Sequence, residues 1–324
     1  MAPDQHPPPH LRPHLHCSPL HIVKLGGSLI ANKGGYCQLN RQMVERLGNE
    51  LAQALAQHAP LPLIVLGGGS FGNGIPLRYG LDQPGFRVKD LSRMPFGMHQ
   101  LMSEVASLWR ERGIAVFPLQ ASAMVSVSNR QFELNPRPIF DALAQGLIPL
   151  TSGDLILSDP PCILSSDHIP ALVAQRMPVA RVTFLTDVCG LLDRSRGNAG
   201  PVRRVTLESA ESALALAGRS ALQDVTGGMK TKVRASLELL QLGVESEMVD
   251  GRIAGVFRRV LGGQQVRGTH FSRMASVPHA LGGQALADQP LVIHPLKTHP
   301  FTVRQFTAQS LAAPPLAASA RGPA

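Results

Sequence analysis

The amino-acid sequence predicts an α/β protein, a three-layer αβα sandwich built on a mainly parallel, open sheet. Three observations lead to this prediction. Short apolar runs alternate with longer amphipathic segments through most of the 324 residues. The composition, 44% hydrophobic and 16% charged, suffices to bury a large core. Several apolar runs end directly in glycine, which is typical of parallel strands whose carboxyl ends form ligand-binding turns.

The individual elements follow from periodicity. The helix predicted at 40–58 has an apolar residue at every fourth position from Met43 to Leu55. Residues 21–25 and 62–66 are continuous apolar runs, as buried strands are. The same criteria predict helices at 97–112, 138–146, 169–176 and 229–241, and strands at 114–119, 147–151, 180–185 and 246–249. This alternation favours a parallel sheet with helices on both faces.

Proline-rich segments flank the predicted core. We expect a disordered Pro/His-rich tail at 1–20, one folded domain at 21–275 and a Pro/Ala-rich tail at 276–324. The histidines of the first tail could bind a metal ion, but a disordered tail or an over-extended start of translation is the favoured reading. These histidines are His6, His10, His14 and His16.

Composition also limits the class of protein. The four cysteines form no C-x-x-C pair, which argues against a disulfide framework or a structural zinc site and favours free thiols. No run of 18 apolar residues and no signal-peptide core are present, so we expect no membrane segment and a cytoplasmic location. The net charge of +9 fits either nucleic acid or a site for polyanions. Scattered arginines and 4% aromatic residues favour the polyanion site.

Three glycine-rich segments are the candidate phosphate-binding elements. The first, Lys24-Leu25-Gly26-Gly27-Ser28, places a lysine and loop amides at a strand end. It is neither a Walker A nor a G-x-G-x-x-G motif, and a tight strand-to-helix turn is the alternative. The second, 67–73, reads GGGSFGN, and three ordered glycines are costly for a bland turn. The third, 224–232, reads DVTGGMKTK and opens a helix.

Two acidic residues complete the candidate set. Asp167, in ILSSDH, could hold two lysines in place rather than attack a substrate. Asp187, in TDVCGLL at a strand end, could contact a nucleotide. Neither segment is specific by itself.

The joint order of these motifs resembles the amino-acid kinase superfamily. The motifs, in order, are KLGGS, GGGSFG, GLIPLTSGD, ILSSD, TDVCGLL and DVTGGMKTK. Within the superfamily the chain resembles isopentenyl phosphate kinases, with fosfomycin-resistance kinases as relatives. The resemblance covers about residues 20–272. It implies the amino-acid kinase fold, with an acceptor-binding half at about 21–165 and a nucleotide-binding half at about 166–275.

The resemblance also implies roles for individual residues. Lys24 and Lys232 would stabilise the transferring phosphoryl group, Asp167 would orient both lysines, and Lys33 would stabilise the transition state. The residues implied to contact ATP are Lys24, Gly26, Gly27, Ser28, Gly69, Asp187, Gly228 and Lys232. Those implied to face the acceptor are Gly68, Asn73 and Gly153. Mg²⁺ is expected on phosphates and waters, with no protein ligand assigned. A homodimer is implied by the family alone.

The sequence departs from the family pattern at two places. The family glycine loop reads HGGGSFGH, whereas here Leu66 and Asn73 replace the two histidines. The second histidine binds the acceptor phosphate, and a neutral amide is a weaker donor than a charged imidazole. The family SGDD motif is Ser165-Ser166-Asp167-His168 here. His168 could supply an imidazole or could be a surface residue, and the second reading is favoured.

Three functions therefore remain open. The first is an ATP-dependent kinase for isopentenyl phosphate or a similar small phosphate or phosphonate. The second is a kinase of this fold with another acceptor, such as a carboxylate or an alcohol. Asn73, in place of the family histidine, favours this second function. The third is a non-catalytic binder of ATP or oxyanions. A nucleic-acid partner rests on net charge alone and is the weakest reading.

Overall fold

The computed structural model describes residues 19–32, 35–81, 87–193, 200–218 and 228–273. Residues 1–18 of the predicted N-terminal tail, the whole predicted C-terminal tail, Lys33, and Asp224 to Gly227 of the third glycine segment lie outside these residues. The strands are β1 (Leu20–Leu25), β2 (Leu63–Leu66), β3 (Val116–Pro118), β4 (Val125–Ser128), β5 (Gln131–Leu134), β6 (Ile148–Ser152), β7 (Asp154–Ile156), β8 (Cys162–Leu164), β9 (Val179–Thr186), β10 (Arg204–Val205), β11 (Ser246–Asp250) and β12 (Gly268–Phe271).

Ten α-helices connect these strands in the described residues. They are α1 (Gly27–Ile30), α2 (Arg41–Ala56), α3 (Gly69–Tyr79), α4 (Arg93–Arg110), α5 (Ala121–Met124), α6 (Arg137–Ala144), α7 (Ile169–Ala174), α8 (Ala210–Gly218), α9 (Gly228–Gln241) and α10 (Val256–Leu261). Every strand and helix predicted from periodicity is present, with bounds shifted by a few residues. Leu20, placed at the end of the N-terminal tail by the sequence analysis, is the first residue of β1.

An eight-stranded sheet forms the middle layer, in the order β10-β12-β11-β9-β1-β2-β6-β3. The six strands from β11 to β3 are parallel. β12 runs antiparallel to β11, and β10 is parallel to β12. The fold prediction is confirmed. The central pair, β1 and β9, aligns Lys24 with Phe184 and brings the carboxyl ends of both strands to one edge.

Both faces of the sheet are buried, as a mainly parallel sheet requires. Side chains of β1 alternate between two apolar clusters, with Val23 and Leu25 in one and Ile22 in the other. The first cluster contains residues of α1, α2, α3, α4 and α10. The second contains residues of α5, α6, α7, α8 and α9. These two helical layers and the sheet make the αβα sandwich.

Several elements were not predicted. α3 escaped prediction because GSFGNGIPLRY contains three glycines and Pro76, all poor helix formers. Burial of Phe71 and Ile75 stabilises it instead. The hairpin β4–β5 turns at Asn129 and Arg130, both with positive φ, without the usual glycine. α8, α10 and β12 also went unpredicted.

Candidate active site

Two lysines from distant parts of the chain meet on one carboxylate. Lys24 lies on β1, Asp167 in the turn before α7, and Lys232 in the second turn of α9. The Lys24 Nζ lies 2.5 Å from Asp167 Oδ1, and the Lys232 Nζ lies 3.4 Å from Oδ2. Only 3%, 8% and 17% of the side chains of Lys24, Asp167 and Lys232 are exposed. The geometry is that of a carboxylate holding two ammonium groups side by side.

The charges of Lys24 and Lys232 keep the Asp167 carboxylate ionised. Burial by itself raises the pKa of Asp167, but the positive charges of Lys232 and Lys24 outweigh it and hold the pKa well below its usual range. Asp167 is therefore ionised at neutral pH, and it offsets part of the repulsion between the lysines. The net charge of the three side chains is +1, which favours an anionic ligand beside them.

The first two glycine segments are in direct backbone contact. A Cβ on Gly27 would overlap the backbone nitrogen of Gly69 and lie 2.7 Å from its Cα. A Cβ on Gly67 would lie 2.9 Å from the Cα of Gly27. Only glycine permits this approach, which brings the amides that follow β1 and β2 to one place. This close approach explains why glycine recurs in both segments.

The second segment is a strand end that turns directly into a helix. Gly68 has φ −66° and ψ −29°, and Gly69 has φ +50°. Such a change of sign directs successive N–H groups to one side and forms a concave anion site. Within the segment 67–73, Gly68 and Gly69 have the backbone conformation of an anion nest. Residues 69–73, read as part of a loop, are instead the first turn of α3.

The residues predicted to contact a nucleotide lie at the same edge of the sheet. The Gly26 N–H donates to the Leu185 carbonyl at 2.7 Å, and a Cβ on Gly26 would lie 3.5 Å from the Thr186 Cα. Asp187, the next residue, is half-buried. Gly228 is the first residue of α9, and its carbonyl accepts a hydrogen bond from the Lys232 Nζ at 3.4 Å. These contacts place the ends of β1 and β9 and the start of α9 around the two lysines.

Gly153 lies against the segment that leads to Asp167. A Cβ on Gly153 would be 2.6 Å from the Leu164 carbonyl oxygen and 2.8 Å from the Ser166 nitrogen. On the other side of the glycine turn, the Met98 sulfur would be 3.4 Å from a Cβ on Gly68. Met98 lies on α4, so this helix borders the glycine turn.

Three predicted site residues remain: two lie on described helices, and the third lies outside the described residues. Ser28 is exposed on α1, and Asn73 is half-buried on α3 without a described contact to either lysine. Lys33 lies outside the described residues. His168, read by preference as a surface residue, is half-buried at the N-cap of α7. Burial lowers its pKa, while the neighbouring Asp167 charge acts in the opposite direction.

Comparison with known proteins identifies the family. The profile of the amino acid kinase family matches residues 19–249, well over half of the chain. The chain belongs to the amino acid kinase family.

Within this family, relatives with different acceptors are similarly distant. An isopentenyl phosphate kinase of Methanothermobacter thermautotrophicus is 29% identical over 264 residues, which cover 78% of this chain and 98% of the relative. A glutamate 5-kinase of Myxococcus xanthus is 28% identical over 276 residues, covering 80% of this chain and 70% of the relative. A solved isopentenyl phosphate kinase structure superposes with a TM-score of 0.62 at 26% identity, covering 78% of this chain and all of that chain.

The site suits the phosphates of a nucleotide, which kinases of this family use. Glycine amides at two strand ends, a cradle that any Cβ would fill, and two ammonium groups are the donors that phosphate oxygens require. Within the described ranges, no cluster of three or more His, Cys, Asp or Glu could hold a metal ion. Magnesium held by phosphates and waters stays a prediction.

Sequence reasoning missed residues that act through backbone contacts. Gly67 was read only as part of a glycine run, yet it forms half of the close approach to Gly27. Ser70 was unassigned, but its hydroxyl accepts from the Gln38 N–H at 3.2 Å and so fixes the segment before α2 to the start of α3. The position of Ser70, directly after the third glycine, was the only available signal.

The remaining general predictions concern membranes and thiols. Of the helices that the structure describes, none has the length and apolar character needed to cross a bilayer. Cys37, Cys162 and Cys189 are free thiols. Cys17 lies outside the described residues.

Proposed function

We propose that this amino acid kinase family member transfers the γ-phosphoryl group of ATP to a small anionic acceptor, isopentenyl phosphate, yielding isopentenyl diphosphate. One observation supports this above all others. Lys24 and Lys232, 208 positions apart in the chain, share the carboxylate of Asp167 beside the packed glycine turns. A protein that only binds a nucleotide has little need for such a costly buried arrangement of charges.

The proposed mechanism is in-line transfer, in which positioning and electrostatics account for nearly all the catalysis. ATP supplies the phosphoryl group, and a bound Mg²⁺ would neutralise part of the phosphate charge. Lys24 and Lys232 stabilise the charge on the oxygens of the transferring group. Asp167 orients both ammonium groups and accepts no proton at neutral pH, because the neighbouring lysine charges hold its pKa well below its usual range. We also assign transition-state stabilisation to Lys33.

The binding residues divide between nucleotide and acceptor. Backbone amides at the strand ends and the start of α9 bind ATP with Asp187, and we assign this role to Gly27, Ser28, Gly69 and Gly228. Gly26, whose N–H is bonded to the Leu185 carbonyl, contacts ATP through its Cα face. Gly68, Asn73 and Gly153 face the acceptor. The packing of Gly153 against Ser166 supports an acceptor position beside Asp167. We further propose a homodimer in the cytoplasm.

A coupled assay of ADP release tests the proposal. The acceptor panel consists of isopentenyl phosphate, dimethylallyl phosphate, fosfomycin, glutamate and simple carboxylates, each with ATP and Mg²⁺. We expect ADP release that depends on isopentenyl phosphate. Release with glutamate or another acceptor would support a different substrate on the same site. ATP binding without turnover of any acceptor would support a non-catalytic binder.

Asn73 makes the acceptor testable by substitution. A charged imidazole binds a phosphate about twice as strongly as a neutral amide does. If the acceptor carries a phosphate near Asn73, Asn73→His should raise kcat/KM for isopentenyl phosphate by about threefold to fourfold, since a charge-assisted bond of roughly 1.5 kcal/mol replaces a neutral bond of about half that strength. KM for ATP should stay constant. An unchanged or lower kcat/KM would indicate that the acceptor lies elsewhere or lacks the phosphate.

A further inference from the structure

The buried carboxylate of Glu50, on α2, caps α10, a helix far from it in the sequence. Glu50 is only 6% exposed. Its Oε1 accepts from the Gly255 N–H at 2.9 Å, and its Oε2 accepts from the Phe257 N–H at 2.9 Å and the Arg258 N–H at 3.4 Å. These are the first amides of α10, whose own N-cap residue is a glycine without a capping side chain. Glu50 therefore fixes where α10 begins.

Arg46 extends this contact to the loop before α10. It lies one helical turn before Glu50, and its Nη1 donates to Glu50 Oε1 at 3.0 Å. Its Nη2 donates to the carbonyl of Gly251, the first residue after β11. Arg46 and Glu50 together hold both ends of the loop 251–255. We call these two residues the Arg46–Glu50 pair.

The held loop lies at the nucleotide side of the site. The Gly251 N–H donates to the Thr186 carbonyl at 2.8 Å, directly before Asp187. A Cβ on Gly251 would be 2.5 Å from Leu29 Cδ2 and 3.3 Å from Leu185 Cβ, so the loop packs between α1 and the end of β9. Asp250, opposite Thr186 in the sheet, interacts electrostatically with Asp187. Displacement of this loop would reach the Gly27 turn and Asp187 together.

We propose that the Arg46–Glu50 pair is a positioning element for nucleotide binding: it fixes the loop 251–255 against Thr186 and Leu29 and thereby sets the affinity for ATP. This inference rests on the proposed function of the site. The pair lies on α2, in the acceptor-binding half implied by the family resemblance, and acts on the nucleotide-binding half. Neither residue needs to touch ATP. Loss of the pair should weaken ATP binding and leave acceptor binding nearly unchanged.

The test uses the full chain with Glu50→Gln and a matched control on the same helix. Glu45 also forms an i, i+4 pair with an arginine, at 2.8 Å from Arg41, but on the solvent side and away from α10. Glu45→Gln should therefore leave all constants unchanged. Glu50→Gln keeps the shape of the side chain but removes the charge that binds three amides. If Glu50→Gln does not fold, Arg46→Met provides a second test, since it removes the bridge to Gly251 and the ion pair with Glu50 but leaves the Glu50 carboxylate on the α10 amides.

The measurements are the Kd of ATP by calorimetry, the KM of each substrate and the melting temperature. We expect Glu50→Gln to raise the Kd and KM of ATP by about fivefold to tenfold, with the acceptor KM within about twofold of the original value. A merely structural role predicts a lower melting temperature with unchanged ATP affinity, or equal losses for both substrates, and either result overturns the inference. If the unaltered protein binds no ATP, the proposed function fails and the inference with it. Unaltered ATP affinity in the variants refutes the inference alone.

Discussion

Lys232 is the most accessible member of the group formed with Lys24 and Asp167, with 17% of its side chain exposed. Because Asp167 keeps Lys24 as a partner, Lys232→Ala leaves no buried charge unpaired and should change the free energy of unfolding by less than about 1 kcal/mol. Loss of a donor to the transferring group should lower kcat about 100-fold to 1,000-fold. Steady-state kinetics and denaturant unfolding measure both effects.

The control for Lys232→Ala is Arg234→Ala on the exposed face of the same helix. It removes the same charge at a distance from Asp167, so kcat should remain within about twofold of the original. Parallel losses of activity and stability in Lys232→Ala would contradict a transition-state role for this lysine.

For individual residues, the sequence predicted which side chains form the site but not how deeply each is buried. The motifs singled out Lys24, Asp167 and Lys232, and the structure brings these three together. Nothing in the local pattern indicated that Lys24 would be almost fully buried, because burial depends on the neighbouring strands β2 and β9. Asn73, which the family resemblance places at the acceptor, lies half-buried on α3, and its role in acceptor binding stays a prediction.

The contact between the turns after β1 and β2 sets the geometry of the phosphate site at the level of elements. Gly27→Ala would place a methyl group against the Gly69 backbone, so one turn must move. A misplacement of about 1 Å can lower activity by about 100-fold. We expect at least this loss in kcat/KM for ATP. Gly218→Ala, at the end of α8 where a Cβ meets nothing within 4 Å, is the control and should keep full activity.

A polar stripe across three strands makes the sheet sensitive to acid. The Thr183 hydroxyl donates to Glu247 at 2.8 Å, so it accepts from His21 Nε2 at 3.0 Å, which requires a proton on that nitrogen. Burial, with a smaller contribution from the Arg181 charge, lowers the pKa of His21 from 6.5 to about 3. The folded state therefore keeps this imidazole neutral.

The unfolded state binds the extra proton below pH 6.5, so acid favours unfolding until the pH reaches the folded pKa of about 3. At pH 5 this linkage should lower the free energy of unfolding by about 2 kcal/mol relative to pH 7.5. Urea unfolding between pH 5 and pH 7.5 measures it. His21→Gln should remove most of this slope. His99→Gln, at an exposed position, is the control and should leave the pH dependence of the free energy of unfolding unchanged. An identical slope in His21→Gln would show that other groups cause the acid sensitivity.

At the scale of the whole molecule, the site joins residues from 24 to 232, and it disappears when the chain unfolds. A ligand that binds only the folded state stabilises it, by about 2.7 kcal/mol at a concentration 100 times its Kd. ATP with Mg²⁺ should therefore raise the melting temperature by about 5–10 °C. Sulfate at the same ionic strength is the control. A melting temperature that stays constant up to millimolar ATP would contradict nucleotide binding.

The sequence by itself determined the alternation of strands and helices, since burial on both faces of a sheet and on one face of a helix imposes different periodicities. It also determined the order of the glycine turns, and with it the family. The tertiary structure alone decided that Gly27 and Gly67 touch, that Asp167 lies between two lysines, and that Glu50 caps α10. These contacts join residues far apart in the chain, and they depend on the order of the strands and the packing of the helices, which no local pattern encodes.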